Sequence, residues 1–131
     1  MPASVYRTTL ALVFLGSAFL KTRDYVRGVN GTGGLPMLAD PVVLWALVVA
    51  DTLIAAGCIL PGRWNAASAW AAILLVVAGN FVFLDGIRTD RIPSCGCFGP
   101  VKLGVVEHVV LAVCVFFLAA RTILPSSTSR R

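Results

Sequence analysis

Two cysteines separated by a single glycine, Cys95 and Cys97, lie in the stretch "IPSCGCFGP". Pro93 and Pro100 restrict the backbone at both ends, while Gly96 and Gly99 permit positive φ. Such a loop can present both sulfurs on one side of a tight turn. A disulfide across one intervening residue is strained, and strained disulfides are the readily reduced ones, suited to exchange and poor as staples. Four chemistries fit the pair: a redox-active dithiol, a soft-metal site for Cu(I) or Zn(II), a structural turn or inert disulfide, and pairing with a partner's cysteine. Two cysteines leave zinc's four-ligand shell unfilled and His108 is the sole histidine, so no metal site is assigned.

Other residues are chemically conspicuous. His108, beside Glu107, falls about one turn into an apolar run just after the cysteine loop. There it is a candidate to accept a thiol proton, or else a hydrogen-bonded interfacial histidine. Glu107 is read as solvated or paired with Lys102 or Arg91. Asp51 lies mid-run in "VVADTLIAAG". A carboxylate at that depth in a bilayer costs roughly 2.5–3.5 kcal/mol and calls for a partner or a task. Lys21 is the natural partner, giving a buried ion pair, with a proton relay as the alternative. Asn80 is expected to hydrogen-bond between helices. Cys58 and Cys114, inside apolar runs, read as small hydrophobes.

The elements that must position these residues are four apolar blocks: about Val5–Leu20, Val42–Leu60, Ala66–Leu84 and Val105–Leu124. Of the 131 residues, 58% are hydrophobic and only 13% are charged, against about 25% charged in soluble domains. Three blocks approach the roughly 20 residues that cross a hydrocarbon core. The first is short between Arg7 and Lys21, so one of those charges must snorkel or face inward. Its small residues Gly16, Ser17 and Ala18 resemble a signal-peptide end, but the run continues into Lys21 and Arg23 without a convincing cleavage site. The expectation is one all-α domain over residues 1–131, an integral membrane four-helix bundle with helices at about 5–27, 42–60, 66–84 and 104–124, and a short basic tail at 125–131. The net charge of +5 comes from basic residues at segment ends, where bilayer contact accounts for them without nucleic acid.

With four spans both termini share a side. That side carries Arg7, Arg63, Arg121, Arg130 and Arg131; the other carries Lys21, Arg23, Arg27, Arg88, Arg91 and Lys102. Basic residues therefore nearly balance and do not orient the chain. The cysteine pair does, since disulfides persist on the extracytoplasmic face. The termini are read as cytoplasmic, the CGC loop as extracytoplasmic, and the membrane as the cell's inner or plasma membrane.

"FLGSAFLKTRDY", the mid-helix acid of "ADTLIAAGCIL" and above all "SCGCFGP" before a last apolar helix resemble the methylamine utilisation MauE family, within the wider DoxX-like membrane group. The resemblance implies a four-helix integral membrane protein. It also implies a role in methylamine metabolism, namely maturation of methylamine dehydrogenase, whose small subunit is rich in disulfides, alongside a thioredoxin-like partner. It marks Cys95 and Cys97 as the functional pair and Lys21 with Asp51 as a buried pair. Family members more often carry glutamate where Asp51 stands, and an arginine where the last helix here begins "VEHVV".

Three function classes remain. In one the protein is a thiol–disulfide oxidoreductase acting on extracytoplasmic proteins, with His108 assisting. In another it is a non-catalytic membrane subunit or assembly factor whose CGC loop is a docking element. The third is a small metal-handling protein, which would need the loop sulfurs reduced. No cofactor is evident in the sequence; a quinone enters only by analogy with other four-helix disulfide-generating membrane proteins.

Overall fold

The computed structural model describes residues 3–27, 40–89 and 104–124. They form four helices: α1 (Ala3–Val26), α2 (Pro41–Ile59), α3 (Arg63–Arg88) and α4 (Val105–Ile123). α2 and α4 have 19 residues each, about 28 Å at 1.5 Å per residue, which matches a hydrocarbon core of about 30 Å. The longer α3 carries Arg63 and Asn65 in its first turn and Asp85 and Arg88 near its end. All four helices are long and apolar enough to cross a membrane. Each packs on its neighbour in the chain, and α4 closes back onto α1, so the bundle is a ring of alternating helices.

What is buried identifies the solvent. Ala11, Ala55, Ala69, Ala72 and Ala119 are almost completely enclosed, together with Leu10, Phe14, Ile54 and Val115. Large apolar side chains face outward instead: Leu12 is 63% exposed, Phe19 65%, Leu53 66% and Phe81 70%. A water-soluble bundle would put its largest apolar groups inside. Small residues between helices and large ones outside is the arrangement expected in lipid, where close backbone approach drives association. The protein is an all-α, multi-pass membrane bundle.

Local sequence sets the helix ends. Asp40 caps α2, its carboxylate accepting from Val42 N at 2.8 Å, and Pro41 at the first helical position lacks only an N–H that would have no helical partner. Gly62, at φ +83°, makes the tight turn from α2 into α3. At the two ends of the bundle, Tyr25 of α1 meets Trp45 of α2 edge-on at 5.5 Å, and Tyr6 of α1 meets Phe117 of α4 at 6.2 Å.

Gly57 marks the close approach of α2 and α3. A Cβ there would overlap the Ser68 side chain, whereas one at Gly16 meets open space. Gly57→Val is therefore expected to destabilise the bundle by about 1–3 kcal/mol, the usual cost of overpacking. Gly16→Ala is expected to be neutral or mildly stabilising, because alanine is the better helix former. Unfolding midpoints of both variants in one detergent check the contrast; equal midpoints would remove the close-approach argument.

Candidate functional site: a polar cluster and cavity inside the bundle

Ser17 and Lys21 are one turn apart on α1 and so share a face. That face meets Asp51 on α2. Lys21 Nζ lies 2.6 Å from Asp51 Oδ2 and also donates to Ser17 Oγ at 2.6 Å. The Ser17 hydroxyl in turn donates to Asp51 Oδ2 at 2.8 Å. The three groups close a triangle of short, charge-assisted bonds. The Lys21 and Asp51 side chains are only 8% and 2% exposed. Burying either charge alone in lipid would be costly; paired and hydrogen-bonded, they fix the register of α1 on α2.

A cavity of about 240 Å³ adjoins this triangle. It is lined by the C-terminal half of α1, the N-terminal half of α2, the C-terminal half of α3 and the N-terminal half of α4. It therefore lies toward the end of the bundle from which the segment between Thr89 and Gly104 leaves α3 and enters α4. Its walls are mostly Leu, Val, Ala and Phe side chains, and the polar exceptions are Ser17, Lys21, Asp51, Asn80 and His108.

His108 is 5% exposed, with its ring against Phe83 of α3 at 4.2 Å between centroids and tilted 39°. Neither Nδ1 nor Nε2 has a hydrogen-bond partner among the described residues. A buried polar group without a partner costs about 1–3 kcal/mol and calls for an explanation. Among the described residues Asn80 makes no bond between helices: its Nδ2 donates to Val76 O, one turn back on α3, at 2.8 Å. The structure thus bonds Lys21 directly to Asp51 and brings Asn80 and His108 to the same cavity.

A model of the family described as methylamine utilisation protein MauE matches residues 1–124, almost the whole chain. The chain belongs to the MauE family. No curated protein and no solved structure matches it. The bundle and the buried Lys21–Asp51 pair are therefore features of a MauE membrane protein.

Cys95 and Cys97 lie outside the described residues, as do Arg91 and Lys102, the partners considered for Glu107. Glu107 itself is exposed in the first turn of α4. Cys58 is a buried free thiol in the apolar core and Cys114 an exposed one; neither lines the cavity. Ser17 is the member of this MauE site that sequence reading treats only as a small packing residue. The signal for it is its spacing, four residues before a lysine that must face inward.

Proposed function

We propose that this MauE-family protein exchanges disulfides with extracytoplasmic proteins through Cys95 and Cys97, in support of their maturation. The observation that carries the proposal is the C-x-C pair, set between Pro93 and Pro100 in the segment that links α3 to α4 of a family-matched membrane bundle. That segment is taken to be extracytoplasmic and the termini cytoplasmic, because thiol exchange of this kind needs the oxidising side. The partners are a thioredoxin-like protein and disulfide-bearing clients of the methylamine dehydrogenase type.

In the client-reducing direction, one loop cysteine attacks a client disulfide as thiolate. An S–S bond forms to the client and one client thiolate leaves. The second loop cysteine then displaces the client's other sulfur, so the loop ends oxidised and the client reduced; the reverse sequence oxidises a client dithiol.

The test is exchange with a reduced or disulfide-scrambled secreted protein, using the purified protein in lipid discs. Cys95→Ser with Cys97→Ser is expected to abolish exchange while leaving the unfolding midpoint within experimental error. If the double variant retains exchange, the proposal is wrong. Loss of client maturation in cells only when the fold is lost favours an assembly factor that docks through the loop.

A further inference from the structure

The cavity beside the Lys21–Asp51 pair has the properties of a ligand site. Its volume of about 240 Å³ exceeds the roughly 150 Å³ that accommodates a benzene and falls short of the roughly 300–1,000 Å³ of drug-sized pockets. One substituted ring fits; a whole lipid does not. The walls are apolar, which selects a lipophilic ligand.

Charge narrows the class further. The Lys21 ammonium is already matched by Asp51, so the site has no spare charge to hold a phosphate or carboxylate. Among the described residues the unspent polarity is neutral: both nitrogens of His108, and the Asn80 amide beyond its single bond to Val76. A neutral imidazole offers one donor and one acceptor, and the amide offers both. These groups suit the oxygens of a neutral ring. A route from the bilayer exists in outline. Val43, Leu47 and Val82 line the cavity yet are partly exposed, and Ala78 is exposed, so the wall between α2 and α3 is shared with the lipid-facing surface.

We propose that this cavity binds the ring of a lipophilic quinone or its quinol, with His108 and Asn80 hydrogen-bonding the ring oxygens. As a binding site it stands on the cavity and His108. As the electron acceptor of the cysteine pair, it rests on the thiol-exchange reading. In that role the two loop thiols lose their protons and two electrons, and the S–S bond forms between Cys95 and Cys97. The quinone takes up two electrons and two protons, and both carbonyl oxygens become hydroxyls.

Binding is measured with decylubiquinone on protein in phosphatidylcholine discs, against empty discs, in the Cys95→Ser/Cys97→Ser background. Saturable binding at one site per protein is expected. His108→Leu should weaken it about tenfold or more, while His108→Gln should stay within about threefold. Gly79→Leu provides a check independent of the histidine. Gly79 lines the cavity and a Cβ there meets only open space, so a larger side chain is expected to occupy the cavity and abolish binding, with an unchanged unfolding midpoint as the control. Decylbenzene should not compete.

Equal binding of decylbenzene, no saturable component above empty discs, or binding unchanged in both His108→Leu and Gly79→Leu would overturn the proposal. The reduced wild-type protein is then mixed with decylubiquinone, and quinol and loop disulfide are expected in equal amounts. Binding without reduction would remove the acceptor role and count against the thiol reading while leaving the binding site intact. Client exchange without quinone binding would do the opposite.

Discussion

Lys21→Met is expected to destabilise the bundle by about 3–5 kcal/mol, and adding Asp51→Leu to recover most of that loss. The asymmetry follows from where the two charges sit. The Asp51 side chain is 2% exposed and its Oδ2 is bonded to both Lys21 and Ser17. Removing the lysine leaves a buried carboxylate whose remaining donor among the described residues is the Ser17 hydroxyl. Removing both partners replaces an ion pair by apolar groups and leaves no buried charge.

Asp51→Leu alone should also be damaging, because it strands the Lys21 ammonium. Unfolding free energies from a denaturing-detergent titration of the four proteins complete the cycle, with an expected coupling of several kcal/mol. Additive single effects would show that the pair is held by the bundle and contributes nothing to holding it. If the double variant is stable but inactive, the triangle has a task beyond register.

The second large effect concerns the cysteines taken singly. Cys95→Ser and Cys97→Ser should each lower the exchange rate on the order of 10³-fold or more, the scale seen when a covalent nucleophile is removed. Their products should differ. The variant that keeps the attacking cysteine accumulates a mixed disulfide with its client, because nothing resolves it; the variant that keeps only the resolving cysteine forms far less adduct. Non-reducing electrophoresis followed by mass spectrometry reads both outcomes and names the client. Equal, low adduct in both variants would point away from an attacking and a resolving thiol.

The bundle was legible because lipid writes a simple rule into sequence. Runs of about 20 apolar residues have few alternatives to a spanning helix. The Lys21–Asp51 bond was legible for a related reason: an intramembrane acid is rare enough to demand a partner, and Lys21 was the cation within reach. Less visible was which face of each helix turns inward. In water a helix reveals its buried face by amphipathicity. Here α4 carries Glu107, His108, Arg121 and Thr122 near its two ends and is apolar between them, and of its residues only His108, Val115 and Ala119 are buried.

Sequence alone therefore allowed His108 to be an interfacial residue facing the cysteine loop, whereas the fold turns it inward against Phe83. Asn80, expected to bond between helices, differs for a related reason. An asparagine in an apolar helix can bond across to a neighbour or back to its own preceding turn, and it takes the second course. Ser17 was hidden by its size, since small residues in membrane helices ordinarily signal close packing. The cavity itself had no sequence signal: its polar residues Lys21, Asp51, Asn80 and His108 stand out one by one, but the apolar residues of four helices that enclose them do not.

The most direct test of the account is the redox state of Cys95 and Cys97 in native membranes. A Cys58→Ala/Cys114→Ala variant leaves the loop pair as the only thiols. A membrane-impermeant, thiol-reactive mass tag is applied from the extracytoplasmic side, with and without prior reduction. An oxidised, accessible pair on the oxidising face is expected to give no tag before reduction and two tags after it. Two free, readily tagged thiols without reduction, or no tagging from that side even after reduction, would contradict it.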